Sequence, residues 1–304
     1  MRSQNDKYLT KTAYREFYRL KHGTLREKWR FLCVNSSIFL KFMLLFNTIM
    51  NEIDLGQLGK QRFFNFCNTI KNLISDEAVK VDLVVASGNS GLAVGKFTEM
   101  IYEELGLSFP KKLSIPFYRF LPGYHDDLSK IFNSEIFLPD VVKQLKNIDN
   151  LENVLFVDDE IGQGVTAIGI FKLINQALEK LGRIKIKNFY IVAEDQGFKP
   201  PKDLPQIKFI PYDKELDGYN NVIFFVNPEE LEAPIVKVMG DDDKFPFHQR
   251  TNILLNLPVK YFNKGNPVYT EKYLELAKQK ILNLAELQNK YIKHLKDLIE
   301  NCLE

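Results

Sequence analysis

The sequence predicts an α/β protein, with a mostly parallel sheet flanked by helices and helical extensions at its N- and C-terminal ends. Two observations predict it. A strand–loop–helix unit starts at 81 and recurs at 153, and further β-branched runs follow the second unit. Those runs are apolar at nearly every residue, as strands covered on both faces are, rather than alternating as strands with one wet face do. In such a sheet the loops that follow the strands gather at one edge, where ligands bind.

Residues 1–75 read as a helical N-terminal segment without a strong strand signal. Its first 30 residues hold nine Lys/Arg against Asp6, Glu16 and Glu27, a net +6, while the whole chain is +2. Tyr8, Tyr14, Phe17, Tyr18 and Trp29 interleave with those charges. A basic, aromatic leader suits contact with nucleic acid; a solvated amphipathic helix with its aromatics inward is the reading we favour. Residues 31–50 are the most apolar stretch, but Asn35, Ser36, Ser37, Lys41 and Asn47 interrupt it. Lys41 would sit near mid-membrane, so a buried helix is expected rather than a span. Three scattered cysteines, Cys33, Cys67 and Cys302, form no Cys-x-x-Cys pair. That spacing argues against a disulfide framework or zinc site and for a reducing, cytoplasmic setting.

The expected core runs from 76 to 227. Val81–Ala86 reads as a strand, Ser87-Gly88-Asn89-Ser90-Gly91 as its loop, and Val94, Phe97, Ile101 and Leu105 as a helix face closed by Gly106. Leu113–Phe117 is a second strand, followed by a long loop over roughly 118–150. Asn153–Val157 is a third strand, Asp158 to Thr166 its loop, and Ile170, Phe171, Ile174, Leu178 and Leu181 the next helix face, closed by Gly182. Further strands are expected at 187–193, 207–211 and 221–226. The Ser87–Gly91 and Asp158–Thr166 loops are therefore expected to meet in space.

Residues 228–304 form a C-terminal segment, with 270–303 reading as one long helix. Leu274, Ala277, Ile281, Leu284, Gln288, Tyr291, Leu295, Leu298 and Cys302 recur at steps of three and four. This leaves two readings open: a coiled-coil seam for a homodimer, or a helix packed along its own domain.

The run Val154-Leu155-Phe156-Val157-Asp158-Asp159-Glu160-Ile161-Gly162-Gln163-Gly164-Val165-Thr166 carries most of the functional signal. Four apolar residues bury a strand and fix where the chain emerges. Two carboxylates at its end can accept hydrogen bonds from vicinal hydroxyls. The backbone N–H groups that follow open a helix, a ready site for phosphate. Gly162 and Gly164 permit close approach of the backbone, and Thr166 can cap the helix or donate to the anion. This run resembles the signature of the type I phosphoribosyltransferases, which bind 5-phosphoribosyl 1-pyrophosphate (PRPP).

The resemblance implies a type I phosphoribosyltransferase-like core. Asp158 and Asp159 would hold the ribose hydroxyls, and Ile161, Gly162, Gln163, Gly164, Val165 and Thr166 the 5′-phosphate. Ser87, Gly88, Asn89, Ser90 and Gly91 would cradle the pyrophosphate. It further implies Mg²⁺ held mainly through PRPP, and transfer of a phosphoribosyl group to or from a nucleobase or related acceptor. Arg119 and His125 are candidates in a loop closing over the site. Lys208, Phe209 and Tyr212, in a region that faintly resembles the base-binding part of hypoxanthine-type enzymes, are candidate base contacts. The chain departs from the family at Gln163, where Thr or Ser is common. It departs again at Gly162, where purine-salvage members carry an Asp that exchanges protons with the base.

The missing Asp and the large helical extensions leave a non-catalytic PRPP- or nucleotide-sensing module as the alternative. A phosphorelay receiver is the weaker rival. Phe156–Glu160 resembles its acidic pocket, but neither Asp203 nor Asp213 follows a clean strand as its phospho-acceptor should.

Overall fold

A computed structural model describes residues 54–76, 79–116, 134–214, 222–239, 246–263 and 266–304. The basic leader, the apolar stretch at 31–50 and the loop candidates Arg119 and His125 lie outside these residues. Among the described residues no helix is long and apolar enough to cross a membrane.

Five strands make one parallel sheet: β1 (Leu83–Ser87), β2 (Lys111–Ile115), β3 (Asn153–Ile161), β4 (Asn188–Asp195) and β5 (Ile207–Lys214), in the order β2-β1-β3-β4-β5. Because β1 has β2 on one side and β3 on the other, the order reverses there. Chains leaving β1 and β3 diverge, and a crevice opens between them. The chain leaves β1 into α2 (Gly88–Glu104) and β3 into α4 (Val165–Lys180).

The central strands β1, β3 and β4 are buried on both faces, the edge strands β2 and β5 only in part, and their residues sort by alternation. Val84, Leu155, Val157, Tyr190, Val192 and Tyr212 enter one core with Phe63, Phe66 and Ile70 of α1 (Leu55–Ser75) and Val94, Phe97 and Ile101 of α2. Leu83, Val85, Val154, Phe156, Phe189 and Ile191 enter the other, with α3 (Ser134–Leu145) and α4. A two-residue side-chain period divides an all-apolar strand between two layers in this way.

The first core does not stop at the sheet's own helices. It also takes in α5 (Glu229–Met239), α6 (Phe247–Leu254), α7 (Lys272–Lys280) and α8 (Leu284–Leu303). The helix at the end of the N-terminal segment and those of the C-terminal segment thus complete one layer over the sheet. Two strands, β6 (Val259–Asn263) and β7 (Asn266–Thr270), form a separate antiparallel hairpin.

Several elements differ from the sequence reading. Residues 134–145, expected inside the long loop at 118–150, form α3, whose Val141 and Leu145 pack into the second core. The run 222–226 is a turn of 3-10 helix, not a sixth strand. Five consecutive apolar residues fit either form, and here the turn is set by contact with α1. The backbone passes so close that a Cβ on Gly59 would stand 2.8 Å from the Val222 carbonyl oxygen. The stretch 270–303 is two helices: Ile281 is extended (φ −109°, ψ 101°), and Leu282 is fully exposed between α7 and α8. The break lets both helices bury their stripes on the same core. Leu274, Ala277, Ile281, Leu284, Tyr291, Leu295 and Leu298 are therefore consumed within the chain rather than offered as a seam. Finally, β3 runs on to Ile161, so the acidic residues belong to the strand and only a short turn separates it from α4.

Candidate functional site

The crevice between the ends of β1 and β3 brings together two of the segments singled out in the sequence, 87–91 and 158–166. The step from β1 to α2 is abrupt. Ser87 ends the strand, and Gly88, at φ +66°, turns the chain directly into helix, so Gly88–Gly91 form the first turn of α2 rather than an open loop. Only a residue free of a Cβ takes that φ without cost. Ser90 then points across the crevice, and its hydroxyl donates to Asp158 Oδ1 at 3.2 Å. Gly91 lies over the end of β3; a Cβ there would be 3.5 Å from the same oxygen. The two segments therefore meet.

Asp158 and Asp159 sit where the pairing of β3 with β4 slips, between Val157 and Glu160. A bulge of this kind re-aims side chains at a strand end. Asp158 is half-buried and accepts from the Asp159 N–H at 3.1 Å. Asp159 is buried, and its carbonyl oxygen accepts from the Tyr212 hydroxyl at 2.5 Å. Burial, then the neighbouring Asp159 charge, pushes the Asp158 carboxyl well above its ordinary range. A carboxylate taken from water beside another resists ionisation, and ligand hydroxyls or a cation would relieve it.

The turn after β3 is narrow. Gly164 occupies the N-cap of α4 at φ +72°, with no side-chain cap and no acidic residue in the first turn. Thr166, expected as a possible cap, is instead the second residue of the helix and half-buried. Gly164 thus offers no side chain to cap the opening N–H groups of α4, and no acid in the first turn offsets the electropositive helix end. Ile161 is buried, Gln163 is exposed and Val165 is half-buried. Asp158, Glu160, Gly162, Gly164 and Thr166 line a hollow of about 30 Å³ here. Gly162 faces open space, whereas a Cβ on Gly164 would lie 2.1 Å from Phe198 Cε2. An Asp-initiated turn puts that ring in place: Asp195 Oδ1 accepts from the N–H groups of Gly197 (2.8 Å) and Phe198 (3.1 Å).

The other wall comes from a part of the chain in which the sequence carried no motif. Asn89 is buried, and its side chain brackets the Lys260 backbone, accepting from its N–H and donating to its carbonyl oxygen. Asn252 donates to the Asn89 carbonyl oxygen at 3.0 Å. The Tyr269 hydroxyl reaches the carbonyl oxygens of Gly88 at 2.9 Å and Ile115 at 3.1 Å. Gly88 and Asn89 thus anchor α6 and the hairpin. Lys260 and His248 come within electrostatic reach of the acids. Burial lowers Lys260 to about 8, against the pull of Asp158 and Asp159. Burial likewise lowers His248 to about 4, against the pull of Asp159.

The three base-contact candidates do not converge. Phe209 packs edge-on to Phe198, with ring centroids 5.2 Å apart, on the α3/α4 side of the sheet. Tyr212 lies in the opposite core, edge-on to Phe66 at 5.5 Å. Lys208 is exposed, its ammonium 5.4 Å from the Tyr190 ring centroid. One planar ligand would not touch Phe209 and Tyr212 together.

Beside the acids lies a second buried polar group. Arg62 of α1, fully buried, pairs with Glu194 at the end of β4 and donates to the Lys214 carbonyl oxygen at 3.4 Å. Burial lifts Glu194 to about 7 even though Arg62 opposes it. Glu160 accepts from Gln196 on the outer rim. Among the described residues no three His, Cys, Asp or Glu side chains are grouped to hold a metal ion. Compared with known proteins, the chain matches no protein-family model and no curated protein.

Proposed function

We propose that this chain binds a phosphorylated pentose, PRPP foremost, in the crevice between β1 and β3. The observation that carries the reading is the joint placement of three groups at the reversal of strand order. They are the Asp158–Asp159 pair, the glycine turn opening α4, and the first turn of α2, joined to the pair by the Ser90–Asp158 hydrogen bond. Each has a chemical counterpart in the ligand. Asp158, poor at holding charge in its buried setting, gains from accepting ribose hydroxyls, and Asp159 beside it can accept as well. The uncapped end of α4 suits the 5′-phosphate, and the N–H groups at the start of α2 suit the pyrophosphate. A hollow of about 30 Å³ has room for a few water-sized groups, so in this reading it takes the phosphate head and the sugar lies across the rim.

In the catalytic form of the proposal, a nucleobase or related acceptor exchanges with pyrophosphate at the anomeric carbon. Mg²⁺ enters with PRPP and neutralises the departing polyanion. The protein's work is to orient the sugar and hold the leaving group. A sensing module without turnover is the second reading. What favours it is that Gly162 offers no acid–base group where purine-salvage relatives of the resembled family have one, and that Phe209 and Tyr212 face opposite cores.

Calorimetric titration with PRPP and Mg²⁺ tests binding. The double variant Asp158→Asn/Asp159→Asn is expected to lose binding while keeping its circular dichroism spectrum. Unchanged affinity in that variant refutes the assignment. Pyrophosphate release on adding a panel of nucleobases then separates enzyme from sensor.

A further inference from the structure

We propose that Cys67 and Cys302 form a reversible disulfide, a modification site that reacts with the disulfide of a small thiol such as glutathione. This does not depend on the identity of the ligand in the crevice. Cys67 is wholly buried on the apolar stripe of α1, and Cys302 is half-buried in the last turn of α8. The Cys302 thiol approaches the Phe64 carbonyl oxygen at 3.4 Å. Phe64 and Cys67 are neighbours one turn apart on α1, so that approach brings the Cys302 sulfur to the turn of α1 that carries Cys67. Lys71, a turn further along, donates from Nζ to the Leu303 carbonyl oxygen at 2.7 Å. The end of α8 is thus held to α1 on both sides of the sulfur pair.

The two sulfurs differ in the way a reactive pair requires. Cys302 is the accessible one, and the Cys67 thiol, followed by the Lys71 ammonium, lowers it to about 7. Burial drives Cys67 the other way. Cys302 is therefore the attacking thiolate and Cys67 the resolving thiol. The Cys302 proton leaves to solvent, and its sulfur attacks one sulfur of glutathione disulfide, expelling a glutathione thiolate that takes up a proton. Cys67 then loses its proton and attacks the Cys302 sulfur, and the second glutathione leaves and is protonated. Two protein thiols become one disulfide as one glutathione disulfide becomes two glutathione molecules. In a reducing cell the staple closes only when the thiol pool is oxidised.

The test exposes the full chain to graded mixtures of glutathione and glutathione disulfide, followed by acid quench, alkylation and mass spectrometry of non-reduced peptides. The expected result is a Cys67–Cys302 cross-linked peptide, with free thiols falling from three to one and restored by dithiothreitol. In a Cys33→Ser chain the cross-link is expected to persist. In a Cys302→Ser chain, altered only at the half-buried terminal position, it is expected to vanish and Cys67 to resist alkylation in the folded state. A Cys302 that stops at the mixed disulfide with glutathione, stays unmodified, or links to Cys33 would overturn the proposal.

Discussion

Substituting Gly164 by Ala tests how the turn at the head of α4 is built. Two costs arise. Gly164 has φ +72°, where an L-residue loses about 1–2 kcal/mol. The new methyl would also lie 2.1 Å from Phe198 Cε2, so the ring must retreat by more than an ångström to reach ordinary contact. Phe198 is buried between Gly164 and Phe209, and overpacking of this kind costs about 1–3 kcal/mol. The sum is about 2–5 kcal/mol of stability, read by urea denaturation of both proteins at one pH. In a Phe198→Ala background the steric part disappears, and the same glycine substitution is expected to cost only about 1–2 kcal/mol. Gly162→Ala is the control. Its Cβ enters open space, and its effect on stability should stay within about 0.5 kcal/mol. If Gly164→Ala matches the parent in stability, or costs the same with and without the Phe198 ring, the account of the turn is wrong.

Three further outcomes follow from the buried charges. Arg62→Leu leaves Glu194 buried without its partner and should cost about 3–5 kcal/mol at pH 8, and less at pH 5, where Glu194 can take up a proton; equal losses in urea melts at both pH values would contradict this. Glu194 itself rises from 4.5 to about 7 on folding, so the stability it contributes is complete below about pH 4.5 and is lost as pH climbs to about 7. Glu194→Gln should therefore gain on the parent across that window, and a constant difference between the two proteins would count against it. Lys260→Met removes a cation within electrostatic reach of Asp158, and Asp158 should then titrate at higher pH by carboxyl-carbon NMR; an unmoved midpoint would place the ammonium elsewhere.

The layered architecture was legible because its physics is local. All-apolar runs such as Val154–Val157 have to be covered on both sides, and glycines such as Gly106 and Gly182 stop helices by taking a left-handed φ (+67° and +66°). The turn opening α4 could be read for the same reason, since Gly164 sits where the strand must reverse into helix. Local pattern failed where either form buries the same residues. Val222–Val226 is apolar throughout and carries no period, so contact with α1 decided it. The seam along 270–303 looks alike whether it packs on a second copy or on the chain's own core.

The composition of the candidate site divides in the same way. Neighbours in the chain, Asp158 with Asp159 and Gly162 with Gly164, announce themselves because their spacing carries the chemistry. Lys260, His248 and Asn252 do not, for they lie in a stretch with no motif. They reach the crevice only because Asn89 accepts from one strand of a distant hairpin while Tyr269 anchors the other. Covalent order thus specified the acids and the turn, through forces acting over a few residues. Which cations and rings surround them depended on how the last third of the chain packs, because electrostatic contacts between remote segments exist only once the core has brought those segments together.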